Sequence, residues 1–267
     1  MRSLLVRGHN PGPWTGLGTN TYLVGDEAPA LIDTATGNDA FVAELRAALE
    51  TTAAGGELGR VLVTHAHVDH VGGVPALRSC WPDVRVSKRA WPEVDEAYGA
   101  SWDAIEGEPV LDVAGTRLWA LHTPGHAPDH LVFFEPRTGT LFGGDLVQNG
   151  NTIVVPASKG GHLGSYLSSL RKVLELAPRR ILPGHGPPID QPAALLRAYL
   201  AHRLQREQQI VDALLRGPAS VDTLTATLYP SLDPALVGGA RENVLAHLGK
   251  LGEEGSAHAI DGVWTLI

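Results

Sequence analysis

Short apolar runs separated by turn residues fill the first two thirds of the chain, and longer helical patterns fill the last third. The runs Leu4–Val6, Thr21–Val24 and Ala30–Ile32 predict strands. Phe41, Val42, Leu45 and Leu49 recur at helical spacing, so Asp39–Leu49 predicts a helix with Asn38 as its N-cap. The β-branched run Arg60–Val63 predicts a buried strand, followed by a helix at Val74–Ser79 and a strand at Val84–Val86. Ala90 to Gly107 carries no clear period. Strands resume at Thr116–Leu121, His130–Phe134 and Thr140–Phe142, and a helix from about Leu163 to Leu176 leads to a strand at Arg180–Leu182.

Beyond Pro187-Pro188 the pattern changes. Gln191–Leu215 predicts one long helix, Ser220–Leu228 a second with Ser220 as N-cap, and Pro234–Leu251 a third. Ser256–Ile267 predicts two short strands around the turn pair Asp261-Gly262. Three helices and a hairpin describe a small winged-helix domain. The expected organisation is therefore a domain over residues 1–190 and a winged helix over 191–267.

Chemistry concentrates where the strand Arg60–Val63 ends. Thr64-His65-Ala66-His67-Val68-Asp69-His70 packs three imidazoles and a carboxylate into six positions. Side chains alternate along a strand, so His65 and His67 can point the same way, with Asp69 and His70 in the turn beyond. Imidazole and carboxylate are the ligands of zinc and similar divalent ions. Such a cluster beside a core strand, with no metal to bind, would be an odd use of polar side chains.

Composition narrows the setting. The single cysteine, Cys80, excludes internal disulfides and, with no apolar run near the roughly 20 residues of a membrane span, predicts a cytoplasmic protein that no membrane holds. Arg2 is followed by no long apolar stretch, so a signal peptide is not expected. The formal charge is −8. Residues 191–267 hold six basic and eight acidic side chains, a net charge of −2. Phosphate backbones demand the opposite sign, so the charge argues against nucleic acid as partner.

The segment His65–His70 resembles the HxHxDH motif of the metallo-β-lactamase superfamily. Further elements follow in that family's order: His126 in His122-Thr123-Pro124-Gly125-His126, Asp145 in Phe142-Gly143-Gly144-Asp145, and His185 in Leu182-Pro183-Gly184-His185-Gly186. The winged-helix ending and the N-terminal Asn10-Pro11-Gly12-Pro13-Trp14 and Gly18-Thr19-Asn20-Thr21 resemble the lactamase-β-2-like branch. The resemblance implies an α+β fold, a four-layer αββα sandwich with metals at one sheet edge. It implies two divalent ions, zinc by first choice, with manganese or iron also accepted by these ligands. His65, His67 and His126 would hold one ion, Asp69, His70 and His185 the other, and Asp145 would bridge them. A water or hydroxide between the ions would be the nucleophile, with Asp69 and Asp145 as catalytic carboxylates. His130 is expected to bond a ligand or an oxyanion, and His162 to contact substrate.

The resemblance also ranks the activities. Zinc β-lactamases of this motif commonly place a cysteine at the second metal, whereas Cys80 follows the motif in a helix, so antibiotic hydrolysis is not expected. The bridging aspartate fits thioester hydrolases, lactonases and nucleases. The expectation is a hydrolase of a small ester-like molecule, a thioester or lactone. An endoribonuclease acting on single-stranded RNA is the alternative. A single-iron persulfide dioxygenase and a metal-free binding module rank lower. The winged helix would then serve as a wall over the site or as a homodimer contact.

Overall fold

The computed structural model describes residues 3–98, 102–113 and 115–267. Arg2 and part of the aperiodic stretch before Gly107 lie outside them.

The first sheet is built from β1 (Ser3–Arg7), β2 (Asn20–Val24), β3 (Ala30–Ile32), β4 (Arg60–Leu62), β5 (Arg85–Lys88) and β6 (Asp103–Ala104), in that order. β1 to β3 pair antiparallel, and β3 to β6 pair parallel. Between them run α1 (Asp39–Glu50), α2 (Val68–Val71), α3 (Val74–Cys80) and α4 (Pro92–Asp95). The Asn38 side chain caps α1 by accepting the Phe41 N–H, and Phe41, Leu45 and Leu49 form its buried face.

The second sheet contains β7 (Val110–Val113), β8 (Thr116–His122), β9 (Leu131–Glu135), β10 (Thr140–Gly144) and β11 (Arg180–Pro183), with β10 and β11 parallel and the rest antiparallel. Its outer face is covered by α5 (Leu163–Leu176). Tyr22, Ile32 and Leu62 of the first sheet meet Leu118, Phe133 and Phe142 of the second in a buried seam. Helix, sheet, sheet and helix make the four-layer sandwich.

The C-terminal part consists of α6 (Pro192–Leu214), β12 (Ala219–Ser220), α7 (Val221–Leu228), α8 (Val237–Glu253), β13 (Ala257–Ile260) and β14 (Val263–Leu266). The Ser220 side chain caps α7, and β13 and β14 form the hairpin around Asp261 and Gly262. Ile210, Leu214, Leu224, Val244 and Leu248 give it a core of its own. Leu196, Tyr199 and Ala246 nevertheless join the core beneath α5, so its helices also pack on the sandwich. No helix of the described residues is long and apolar enough to cross a membrane.

Five short elements escape the sequence pattern: α2, α4, β6, β7 and β12. β7 is a mostly exposed edge strand of four residues, too short for its alternation to stand out. Val68–Val71 closes into one helical turn whose backbone bonds run from Val71 and Gly72 back to His67 and Val68.

Candidate metal centre

Strand ends from both sheets meet at one edge of the sandwich. β4 delivers His65 and His67, α2 carries Asp69 and His70, the turn after β8 holds His126, and β10 and β11 end on Asp145 and His185. Backbone bonds between segments fix this convergence: Leu131 N–H to Thr64 C=O, Gly184 N–H to Gly144 C=O, and Thr34 N–H to His70 C=O. Gly184 lies so close to the site that an added Cβ would sit 2.7 Å from Asp145 Oδ1 and 2.8 Å from the His70 ring. Gly144 adopts a φ of +47°, and a Cβ there would press on the His130 ring at 2.8 Å.

Seven side chains form two triads and a bridge. His65 Nε2 lies 3.1 Å and His126 Nε2 2.9 Å from His67 Nδ1. In the second triad, His185 Nε2 lies 3.2 Å and His70 Nε2 3.6 Å from Asp69 Oδ2. Asp145 divides its carboxylate between the two. Oδ1 lies 3.4 Å from both His70 Nε2 and His185 Nε2, and Oδ2 lies 3.6 Å from His126 Nε2.

Outer hydrogen bonds decide which ring nitrogens face inward. His126 Nδ1 donates to the Val154 carbonyl at 2.7 Å. His70 Nδ1 bonds Asp33 Oδ2 at 2.8 Å. The Thr64 hydroxyl donates to Asp33 at 2.9 Å and therefore takes the His65 Nδ1 proton at 3.0 Å. In His65 and His126 the outward nitrogen holds the proton, so Nε2 presents a lone pair to the centre, and the Asp33 bond likewise turns His70 Nε2 inward.

The electrostatics divide in the same way. Burial first, then the neighbouring rings, hold His65 far below the usual imidazole range and push His67 down to about 3. Burial also lowers His126. The His65 and His126 lone pairs both face His67 Nδ1, an arrangement that suits a cation among the three neutral rings. Around the second triad, burial alone would lower His70 and His185. The carboxylates of Asp145 and Asp69 reverse that, raising His70 strongly and His185 to about 9. Burial is likewise outweighed at Asp69, which falls to about 2 beside His70, and at Asp145, which His185 and His70 hold well below the usual carboxylate range. Among the described residues, His70 Nε2 and Asp145 Oδ1 are buried with no hydrogen-bond partner, as atoms reserved for an ion would be. The donor set fits divalent cations.

Asp33 is the functional residue that sequence reasoning missed. Buried and at a φ of +61°, it accepts from the Thr64 N–H, the Thr64 hydroxyl and His70. Its signal was a carboxylate placed directly after the buried strand Ala30–Ile32.

One expected role is sharpened and one changes. The His130 ring is fully buried behind the site, accepting the Asp145 N–H at 3.1 Å through Nε2 and bonding Thr123 Oγ1 at 2.8 Å through Nδ1. It bonds the backbone of the candidate ligand Asp145, the first of its two expected roles. His162 is the N-cap of α5: Nδ1 accepts the Ser165 N–H, and Nε2 reaches Glu253 of α8 at 2.9 Å. A ring committed to a cap and an ion pair is not the expected substrate contact. His247 is buried beside Glu207.

Two His/Asp triads sharing one carboxylate, at the strand ends of an αββα sandwich, define the class: a metal-dependent hydrolase fold. Comparison with known proteins supplies the family. Residues 14–185 match the model described as metallo-beta-lactamase superfamily, and residues 220–264 match the beta-lactamase associated winged helix domain. The chain is 34% identical over 263 residues to a protein named beta-lactamase-like protein 2 homolog from Drosophila melanogaster, covering 94% of this chain and 87% of the relative. It is 32% identical over 279 residues to atrochrysone carboxyl ACP thioesterase dmxR1 of Cryptosporiopsis sp., covering 95% and 80%. The structure of a metallo-beta-lactamase family protein from Thermus thermophilus superposes with a TM-score of 0.83 at 24% identity, covering 99% and 98%, which shows the fold. The chain belongs to the metallo-β-lactamase superfamily and is a hydrolase with a C-terminal winged-helix domain.

Proposed function

We propose that this chain is a dinuclear hydrolase of a small ester-like substrate, with thioesters and lactones as the favoured classes. The division of Asp145 between the two triads carries the reading, since one carboxylate facing both sets of rings suits two neighbouring cations, zinc by preference. Bound divalent ions supply Lewis acidity for an ester carbonyl and acidify water toward a pKa of about 7.

The chain's own residues do the remaining work. His65, His67 and His126 present neutral donors, and Asp69 with Asp145 tempers the positive charge. His130 and Asp33 hold Asp145 and His70 in place from behind.

Substrate would enter the cleft beside His185, a cavity of about 740 Å³. Trp14 and Leu17 line it together with Leu232 and Leu236 of the C-terminal domain, and Asn20 and Asn149 add amides. Among the described lining residues Arg7 is the sole Lys or Arg, and none is acidic. That surface suits a largely apolar acyl group better than a polyanionic RNA strand. The relative named as an ACP thioesterase supports the thioester choice.

The test is to incubate metal-loaded protein with S-acyl thioesters, lactones, phosphodiesters and single-stranded RNA. Hydrolysis of a thioester or lactone supports the reading. Cleavage of RNA with inert esters would replace it.

A further inference from the structure

Arg203 lies in the middle of α6 and is 2% exposed, yet no carboxylate is within ion-pair distance of it among the described residues. A buried cation is expensive unless its hydrogen bonds do something that an apolar side chain could not. Its bonds go to neutral acceptors: Nη1 donates to Asn243 Oδ1 at 3.0 Å, and Nη2 donates to the Ile153 carbonyl. The guanidinium also stands 5.3 Å from the centroid of the Tyr166 ring. Asn243, on α8, uses the same Oδ1 to accept the Val155 N–H at 3.0 Å.

The peptide groups held in this way flank a metal ligand's partner. Ile153 C=O is held by Arg203 and Val155 N–H by Asn243, and between them Val154 C=O takes the His126 Nδ1 proton at 2.7 Å. Ile153 and Val155 are buried and their segment has no regular secondary structure. Its geometry therefore comes from these bonds and not from a helix or strand ladder.

We propose that Arg203 and Asn243 are positioning residues for the first triad. Through the backbone of residues 153–155 they aim the Val154 carbonyl, which fixes His126 as the Nδ1–H tautomer with Nε2 facing the metal. The C-terminal helices are then a structural component of the metal centre itself, beyond any role as a wall of the cleft. The proposal rests on His126 being a ligand. The partners that orient a ligating histidine typically govern metal affinity by 10–100-fold.

The test compares Arg203→Met and Asn243→Leu with Asn243→Asp, which keeps the acceptor for Val155 and gives Arg203 a carboxylate. Nitrogen-15 shifts of the His126 ring in metal-free protein report the tautomer. A stepwise Co²⁺ titration followed by its absorption bands reports each triad. Arg203→Met and Asn243→Leu should show mixed His126 tautomers and about 10–100-fold weaker binding at the first triad, with the second triad within about threefold of wild type. Asn243→Asp should restore the wild-type pattern. If Arg203→Met does not fold, Arg203→Lys, which keeps charge but loses the two-pronged geometry, provides the same readouts. Folded variants with an unchanged tautomer and unchanged first-triad affinity would overturn the proposal. A protein that keeps the tautomer shift but takes up no metal would instead refute the dinuclear reading alone.

Discussion

Asp33 Oδ2 and His70 Nδ1 form a 2.8 Å hydrogen bond beneath the metal cluster, with both side chains buried. The same carboxylate takes the Thr64 N–H at 2.7 Å and, through the Thr64 hydroxyl, reaches His65. One residue outside the ligand set therefore orients a histidine in each triad. Replacing Asp33 with Ala should weaken metal binding about 10–100-fold. It should also cost about 1–3 kcal/mol of stability, because the buried Thr64 N–H loses its acceptor. Asp33→Asn tolerates the positive φ and keeps one acceptor, so it should fall between the two. Chelator competition and thermal unfolding measure both effects.

Asp145→Ala should reduce hydrolysis to background and lower the metal content from two ions to one per chain. The ratio from elemental analysis is the check. Retained activity would refute a shared carboxylate.

Gly184→Ala should damage the centre with no change of charge. The new methyl meets Asp145 Oδ1 and His70, and neither can retreat without leaving the cluster. A loss on the order of 1–3 kcal/mol is expected, together with weakened metal binding. Gly59→Ala, at an exposed position with nothing near its added Cβ, is the control and should bind metal normally.

Lys88 and Asp129 are both buried, 3.3 Å apart, and Asp95 lies 2.6 Å from the same ammonium. Burial pushes Asp129 up to about 6, with Lys88 countering only part of it. A carboxyl raised in the folded state contributes stability below its unfolded value, and that contribution is lost as pH rises through about 6. Asp129→Asn cannot ionise. Its stability relative to wild type should therefore rise from pH 4 to pH 8, by on the order of 2 kcal/mol. Denaturant unfolding at the two pH values measures the difference, and a relative fall over that range would contradict it.

The candidate metal ligands are legible because the chain writes them at strand ends beside Gly and Pro turns, four within His65–His70 and one each in the turns of His126, Asp145 and His185. Their supports are not. Asp33 and His70 are 37 residues apart and meet only because β3 and β4 pair in parallel, and strand order is invisible to periodicity. The Val154 carbonyl is a backbone group and leaves no signature in side-chain identity. Residue type and neighbourhood alone suggest chemistry for His130 and His162. Burial turns one toward the Asp145 peptide, and helix capping turns the other toward Ser165.

The most direct test of the dinuclear hydrolase is metal stoichiometry measured alongside thioester and lactone turnover on the same preparation. Two divalent ions per chain, with hydrolysis that chelation abolishes and metal restores, is the expected result. One iron per chain with oxygen uptake, or turnover that persists in metal-free protein, would contradict it.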